Sequence, residues 1–216
     1  MLSKTRLPLL IALVIALELL IYGWSAWTST FEPGNFFAIQ SPFIFDKAAR
    51  IAARISSVIL LVLLLMVGKI GLKSIYADNK RKEAFLVLLT VFTCNHLVHL
   101  IFVLLRFYSH GESLLLSGPV NIGGTIHGII TFASIISIPI ILWRYQRLTT
   151  FLYAVIILHL FNISSFVIKT FSGKVKPPEH PAYHNQFGIV VISAACLYIL
   201  YIVYLEHCRK ESIQIS

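Results

Sequence analysis

The chain has 216 residues, of which 57% are hydrophobic and only 12% charged. With a mean hydropathy of +0.83, that composition excludes a soluble globular domain and places the chain in the membrane class. The net charge of +9 does not point to nucleic acid, because the basic residues sit at the ends of apolar runs, where topology accounts for them.

Apolar runs of about 20 residues cross a bilayer as helices. Six are predicted, giving an all-α polytopic helix bundle with a single transmembrane domain over residues 1–216. The first, roughly 7–27, follows Lys4 and Arg6 and carries Glu18 near its middle. It is too long for a signal-peptide apolar region and ends without a small-x-small cleavage site, so it reads as an uncleaved span. The second is expected over roughly 55–75, the third over 85–108 and the fourth over 125–143. The fifth and sixth follow at roughly 150–169 and 187–206. Between them stand Glu32-Pro33-Gly34-Asn35, the charged run Asp78–Lys82, a glycine-rich turn near Gly118–Gly124, Arg144–Thr150, and a proline-rich loop with Pro177, Pro178 and Pro181. Prolines and glycines punctuate where breaks are needed. Cys94, Cys196 and Cys208 form no C-x-x-C and no disulfide framework, and read as apolar side chains or a tail thiol.

Orientation follows from the basic residues. One set of span ends holds eleven: Lys4, Arg6, Lys69, Lys73, Lys80, Arg81, Lys82, Arg144, Arg147, Arg209 and Lys210. The other holds seven: Lys47, Arg50, Arg54, Arg106, Lys169, Lys174 and Lys176. Both termini are therefore expected in the cytoplasm. The expected location is a bacterial inner (plasma) membrane, with the lipid bilayer itself as the first partner.

Four histidines, His96, His99, His127 and His159, fall inside these spans. Ionisable groups are costly in hydrocarbon, and several at a similar depth mark a functional site. On the third span, His96, His99, Arg106 and His110 lie within about 80° of one another at 100° per residue. The fifth span carries His159, Asn162 and Lys169 at the same spacing, i, i+3 and i+10. At ~1.5 Å per residue from the nearest cytoplasmic charge, His96 and His159 are both roughly 18–21 Å deep. Glu18 falls at a middle depth too. Arg106 and Lys169, if turned inward, would suit an acidic group such as a haem propionate; turned outward, they snorkel to the headgroups. His110, His180 and His184 form an outer group with no specific chemistry assigned to it.

Two chemistries suit such imidazoles. Haem needs axial nitrogen ligands at matched depth, which His159 with His96 or His99 would supply, His127 coming next. Zinc, copper or non-haem iron needs three or more convergent ligands, for which His96, His99, His127, His159 and Glu18 are the candidates. That second reading is a membrane enzyme acting on a lipid-like substrate. A third reading is a proton- or ion-coupled transporter in which Glu18 and the histidines form a relay. No nucleotide-binding glycine loop and no H-E-x-x-H occurs, so any electron donor is another protein, such as a flavoprotein, or a quinone.

Several short stretches carry a family likeness. They are Ala49-Arg50-Ile51-Ala52 opening the long apolar second span, His99-Leu100 in the third, Gly128–Phe132 in the fourth, and Tyr145-Gln146-Arg147-Leu148 leading into the fifth. In these the chain resembles the ferric reductase-like transmembrane haem b family, and within it the small haem-binding subunits of methionine sulfoxide reductase systems. The resemblance implies b-type haem held by histidines of the third and fifth spans, as part of an oxidoreductase's electron-transport chain. His96 and His110, 14 residues apart, look like the family's paired ligands on the third span. The fifth span departs from the pattern, because the position 13 residues after His159 is Ser172. Aligned instead on Tyr145–Leu148, the expected histidine positions hold Thr149 and Asn162.

Overall fold

The computed structural model describes residues 6–30, 42–109, 122–145, 147–172 and 183–214. Seven α-helices occupy them, and no strand occurs among the described residues: α1 (Arg6–Thr30), α2 (Pro42–Ile70), α3 (Leu72–Ala77), α4 (Asn79–Ser109), α5 (Ile122–Arg144), α6 (Thr150–Ser172) and α7 (Tyr183–Gln214). Five stretches are long and apolar enough to cross a membrane: Lys47–Ile70, Asn79–Arg106, Ile126–Arg144, Thr150–Lys169 and Gln186–Leu205. In α1, Ala12–Trp24 forms a shorter apolar helix.

The second span begins and ends earlier than the sequence predicts. The apolar run starts near 55, after Arg50 and Arg54; these are one turn apart on α2 and both exposed, so the helix runs past them. Its end is set by Gly71, whose φ of 80° lies in the left-handed region that only glycine adopts without strain. The Gly71 N–H still closes on Val67 O at 2.9 Å, and Gly71 O opens α3 by accepting from Ile75 N at 3.0 Å. Asp78 then starts α4. Its Oδ1 accepts from the backbone N–H groups of Lys80 at 2.8 Å and Arg81 at 3.3 Å, an N-cap arrangement that satisfies otherwise orphaned donors. Those backbone donors, followed by the charges of Arg81 and Lys80, hold its carboxyl below the usual carboxylate range.

The helices group into two compact units, Met1–Ile59 with Leu88–Ile126, and Leu60–Val87 with His127–Ser216. In the first, Ile21 of α1 packs with Phe45, Ala48, Ala49 and Ala52 of α2 and Phe102 of α4. The alanines bring the helix backbones close, the way small residues work in membrane helix packing. In the second, α6 packs along α7, with Leu152, Ile156, Leu160 and Ile163 of α6 and Ile192 and Ile199 of α7 all buried. Gly68 of α2 leaves room for an aromatic ring of α7: a Cβ there would stand 2.6 Å from Tyr198 Cδ1.

Leu13, Leu19 and Leu20 of α1, Ile129 and Ile140 of α5, Phe151 and Leu158 of α6, and Leu197 and Tyr201 of α7 are all more than half exposed. A soluble protein would not leave so many large apolar side chains outward; a bilayer suits them.

Candidate functional site

Each unit buries polar side chains within its apolar helices. In the first, α4 presents Phe92, Asn95, His96 and His99 along about two turns. Asn95 uses both amide hydrogens toward α2, donating Nδ2–H to Ala52 O at 3.0 Å and to Ser56 Oγ at 2.7 Å. One turn on, His99 Nδ1 lies 2.9 Å from Ala49 O. A carbonyl only accepts, so Nδ1 carries the hydrogen and His99 is in its Nδ1–H tautomer. Two of these bonds reach backbone carbonyls already used within α2 and the third the Ser56 hydroxyl, and together they fix α4 against α2. His96 is buried, its ring stacked on Phe92 at 5.3 Å and tilted against His99 at 5.4 Å. Glu18 of α1 is buried in the same unit, and neither of its carboxylate oxygens has a hydrogen-bond partner among the described residues. Arg106 is half-buried in the last turn of α4.

In the second unit a chain of hydrogen bonds links α5 to α6, and each donor can be assigned. Thr131 Oγ1 donates to His127 O at 2.7 Å, and Ser134 Oγ donates to Thr131 O at 2.8 Å. Each hydroxyl has one hydrogen, so both oxygens can now only accept. Asn162 Nδ2 therefore donates to Thr131 Oγ1 at 3.0 Å. Its Oδ1 accepts from His127 Nε2 at 3.1 Å. His159 Nδ1, 3.2 Å from Ser134 Oγ, must likewise be the donor. His159 is thus in its Nδ1–H tautomer, and Nε2 holds a lone pair. That Nε2 is buried with no hydrogen-bond partner among the described residues, on a side chain only 5% exposed. Phe166 stands edge-on to His127 at 5.8 Å and to Phe132 at 6.1 Å, closing the apolar wall beside the network.

The residues singled out by sequence fall as follows. His96 and His159 are buried, His99 and His127 half-buried, and all four belong to helices long and apolar enough to cross a membrane. His96, His99 and Glu18 lie in the first unit, His127 and His159 in the second. Among the described residues no group of three or more His, Cys, Asp or Glu side chains converges as a metal site. Lys169 does not join the inward stripe of His159 and Asn162; it is exposed in the last turn of α6, where a lysine snorkels. His110 and His180, and the side chains of His184 and Cys208, lie outside the described residues. Cys94 and Cys196 are free thiols, half-buried and buried. Sequence reasoning passed over Ser56, Thr131 and Ser134. The last two had a readable signal: His127, Thr131 and Ser134 recur at i, i+4 and i+7, a polar stripe on an otherwise apolar span.

Fold and site together define a class, a multi-pass all-helical membrane protein with polar networks buried inside its spans. No family model, curated protein or solved structure matches the chain.

Proposed function

We propose that the protein binds haem b and carries electrons within the membrane, with His159 supplying an axial nitrogen. One observation carries this reading: the buried His159 Nε2, whose lone pair has no hydrogen-bond partner among the described residues while Ser134 holds the hydrogen on Nδ1. A buried imidazole acceptor left in that state costs about 1–3 kcal/mol, which a metal–nitrogen bond repays. Metal-ligating histidines commonly have their other ring nitrogen hydrogen-bonded in this way, which fixes tautomer and orientation.

Haem is favoured over zinc, copper or non-haem iron because haem asks the protein for one or two ligands, whereas those ions ask for three or more. The resemblance to the ferric reductase-like family supports the same choice. His127 is the other candidate in this unit. Its Nε2–H is committed to Asn162, so it would coordinate through Nδ1. His96 and His99 are not part of this assignment. Bound haem would supply a one-electron couple. The chain's own residues hold the imidazole in one tautomer and bury it away from water.

The 25-residue α1 is read as the sixth span, with both termini in the cytoplasm. The donor would be a quinone or flavoprotein, and the location a bacterial inner membrane. The test is haem content per polypeptide after purification from haem-replete cells. Wild type should carry stoichiometric haem, and His159→Ala should lose most of it while keeping its helical circular dichroism. Wild-type protein that neither carries haem nor takes it up in detergent would overturn the proposal.

A further inference from the structure

A different buried group lies in the first unit and owes nothing to the haem reading. Along α1, Val14, Glu18 and Ile21 are 5%, 3% and 6% exposed. They stand at i, i+4 and i+7, one narrow stripe of the helix. Leu13, Leu19, Leu20 and Trp24 on the other faces are 60–71% exposed. The carboxyl of Glu18 is therefore turned into the protein and its neighbours are turned outward.

The depth of Glu18 follows from the register of its neighbours. Ile21 shares a core with Phe45, Ala48, Ala49 and Ala52 of α2 and Phe102 of α4. Tyr22 lies 6.1 Å from the Phe45 ring and stacks on Phe102 at 6.4 Å. With α1 read as a span, consecutive spans alternate in direction, so α1 runs with α4 and against α2. One turn back from Tyr22 is Glu18. One turn on from Phe45 is Ala49, and three residues before Phe102 is His99. These last two are joined by the His99 Nδ1–H to Ala49 O bond. Glu18 thus sits level with the point at which α4 is pinned to α2.

Neither carboxylate oxygen of Glu18 has a hydrogen-bond partner among the described residues. An ionised carboxylate without donors is among the most costly things to place in an apolar layer. A proton or a metal cation would relieve it. A metal cation needs several converging oxygens, and no group of three His, Cys, Asp or Glu side chains assembles among the described residues. The amide oxygen of Asn95, also buried and without a hydrogen-bond partner there, is one further acceptor in the unit. A proton needs a single oxygen. The titratable and charged groups on the elements packed around this level are His96, His99 and Arg106 of α4, and Lys47, Arg50 and Arg54 of α2, the last two exposed. Tyr22 is the one on α1 itself.

We propose that Glu18 is a proton-binding site within the spans, the carboxyl at which this membrane protein takes up and releases a proton. A hydrophobic carbodiimide tests this, since it partitions into bilayers and reacts with protonated carboxylic acids. Full-length protein in liposomes is treated with dicyclohexylcarbodiimide between about pH 5 and pH 9, and the modified residue is located by peptide mass spectrometry. Glu18 should be labelled, with labelling falling roughly tenfold per pH unit once the carboxyl ionises. A water-soluble carbodiimide should label it far less, and sodium or lithium chloride should not protect it. Glu18→Gln should abolish the modified peptide. The wild-type measurement stands even if that variant folds poorly. Absence of labelling at every pH, or labelling indifferent to pH, overturns the proposal. Protection by sodium or lithium overturns it in favour of a metal-cation site.

Discussion

A single hydroxyl hydrogen decides what His159 can do. Ser134 spends that hydrogen on the Thr131 carbonyl, so toward His159 it can only accept, and Nε2 is left as the open nitrogen. Removing the acceptor should therefore act through the imidazole. In Ser134→Ala the histidine loses the bond that raises its basicity, which weakens its hold on the oxidised iron more than on the reduced. If haem is bound as proposed, its midpoint potential should rise by up to about 60 mV, the one-electron equivalent of ~1.4 kcal/mol. Redox titration of the variant checks this; an unchanged potential would show that Ser134 only packs. The histidines and Glu18 were legible in the sequence because charge-bearing residues are conspicuous in apolar runs. Their partners were not. Half of the hydrogen bonds around them end on backbone carbonyls of Ala49, Ala52, His127 and Thr131, and no side-chain pattern announces a carbonyl.

Helix ends and helix contacts were read with unequal success, for a physical reason. Apolar length located five helices long and apolar enough to span a membrane, but the apolar run placed the start of the second too late. A long helix carries Arg50 and Arg54 on an exposed face while Ala48, Ala49 and Ala52 turn inward. Its close approach to α7 depends on Gly68, a small residue inside an apolar run that gives no such warning. Gly68→Ala should drive its new methyl into the Tyr198 ring, destabilising the protein by about 1–2 kcal/mol as overpacking does. Denaturation in mixed micelles should show that loss. Combining it with Tyr198→Ala should recover part of it, because the two residues share one contact. Additive losses would mean that the ring moves aside freely.

For the whole molecule, the bilayer removes water as a partner for buried polar groups, so each one must be satisfied internally or bind something. In the two units, bonds between α2 and α4 and between α5 and α6 satisfy Asn95 Nδ2, His99 Nδ1, His127 Nε2, His159 Nδ1 and Asn162. Glu18 and His159 Nε2 are among those that are not satisfied, and they lie in different units, one an acid and the other a neutral nitrogen base. Different ligands are expected for each: a proton for the first, a metal centre for the second. The measurement that bears most directly on this account is the absorption spectrum of the detergent-purified protein, oxidised and then dithionite-reduced. The account predicts a Soret band that sharpens with α and β bands on reduction and is lost in His159→Ala. A wild-type protein that stays colourless in both states, even after incubation with haem, would contradict it.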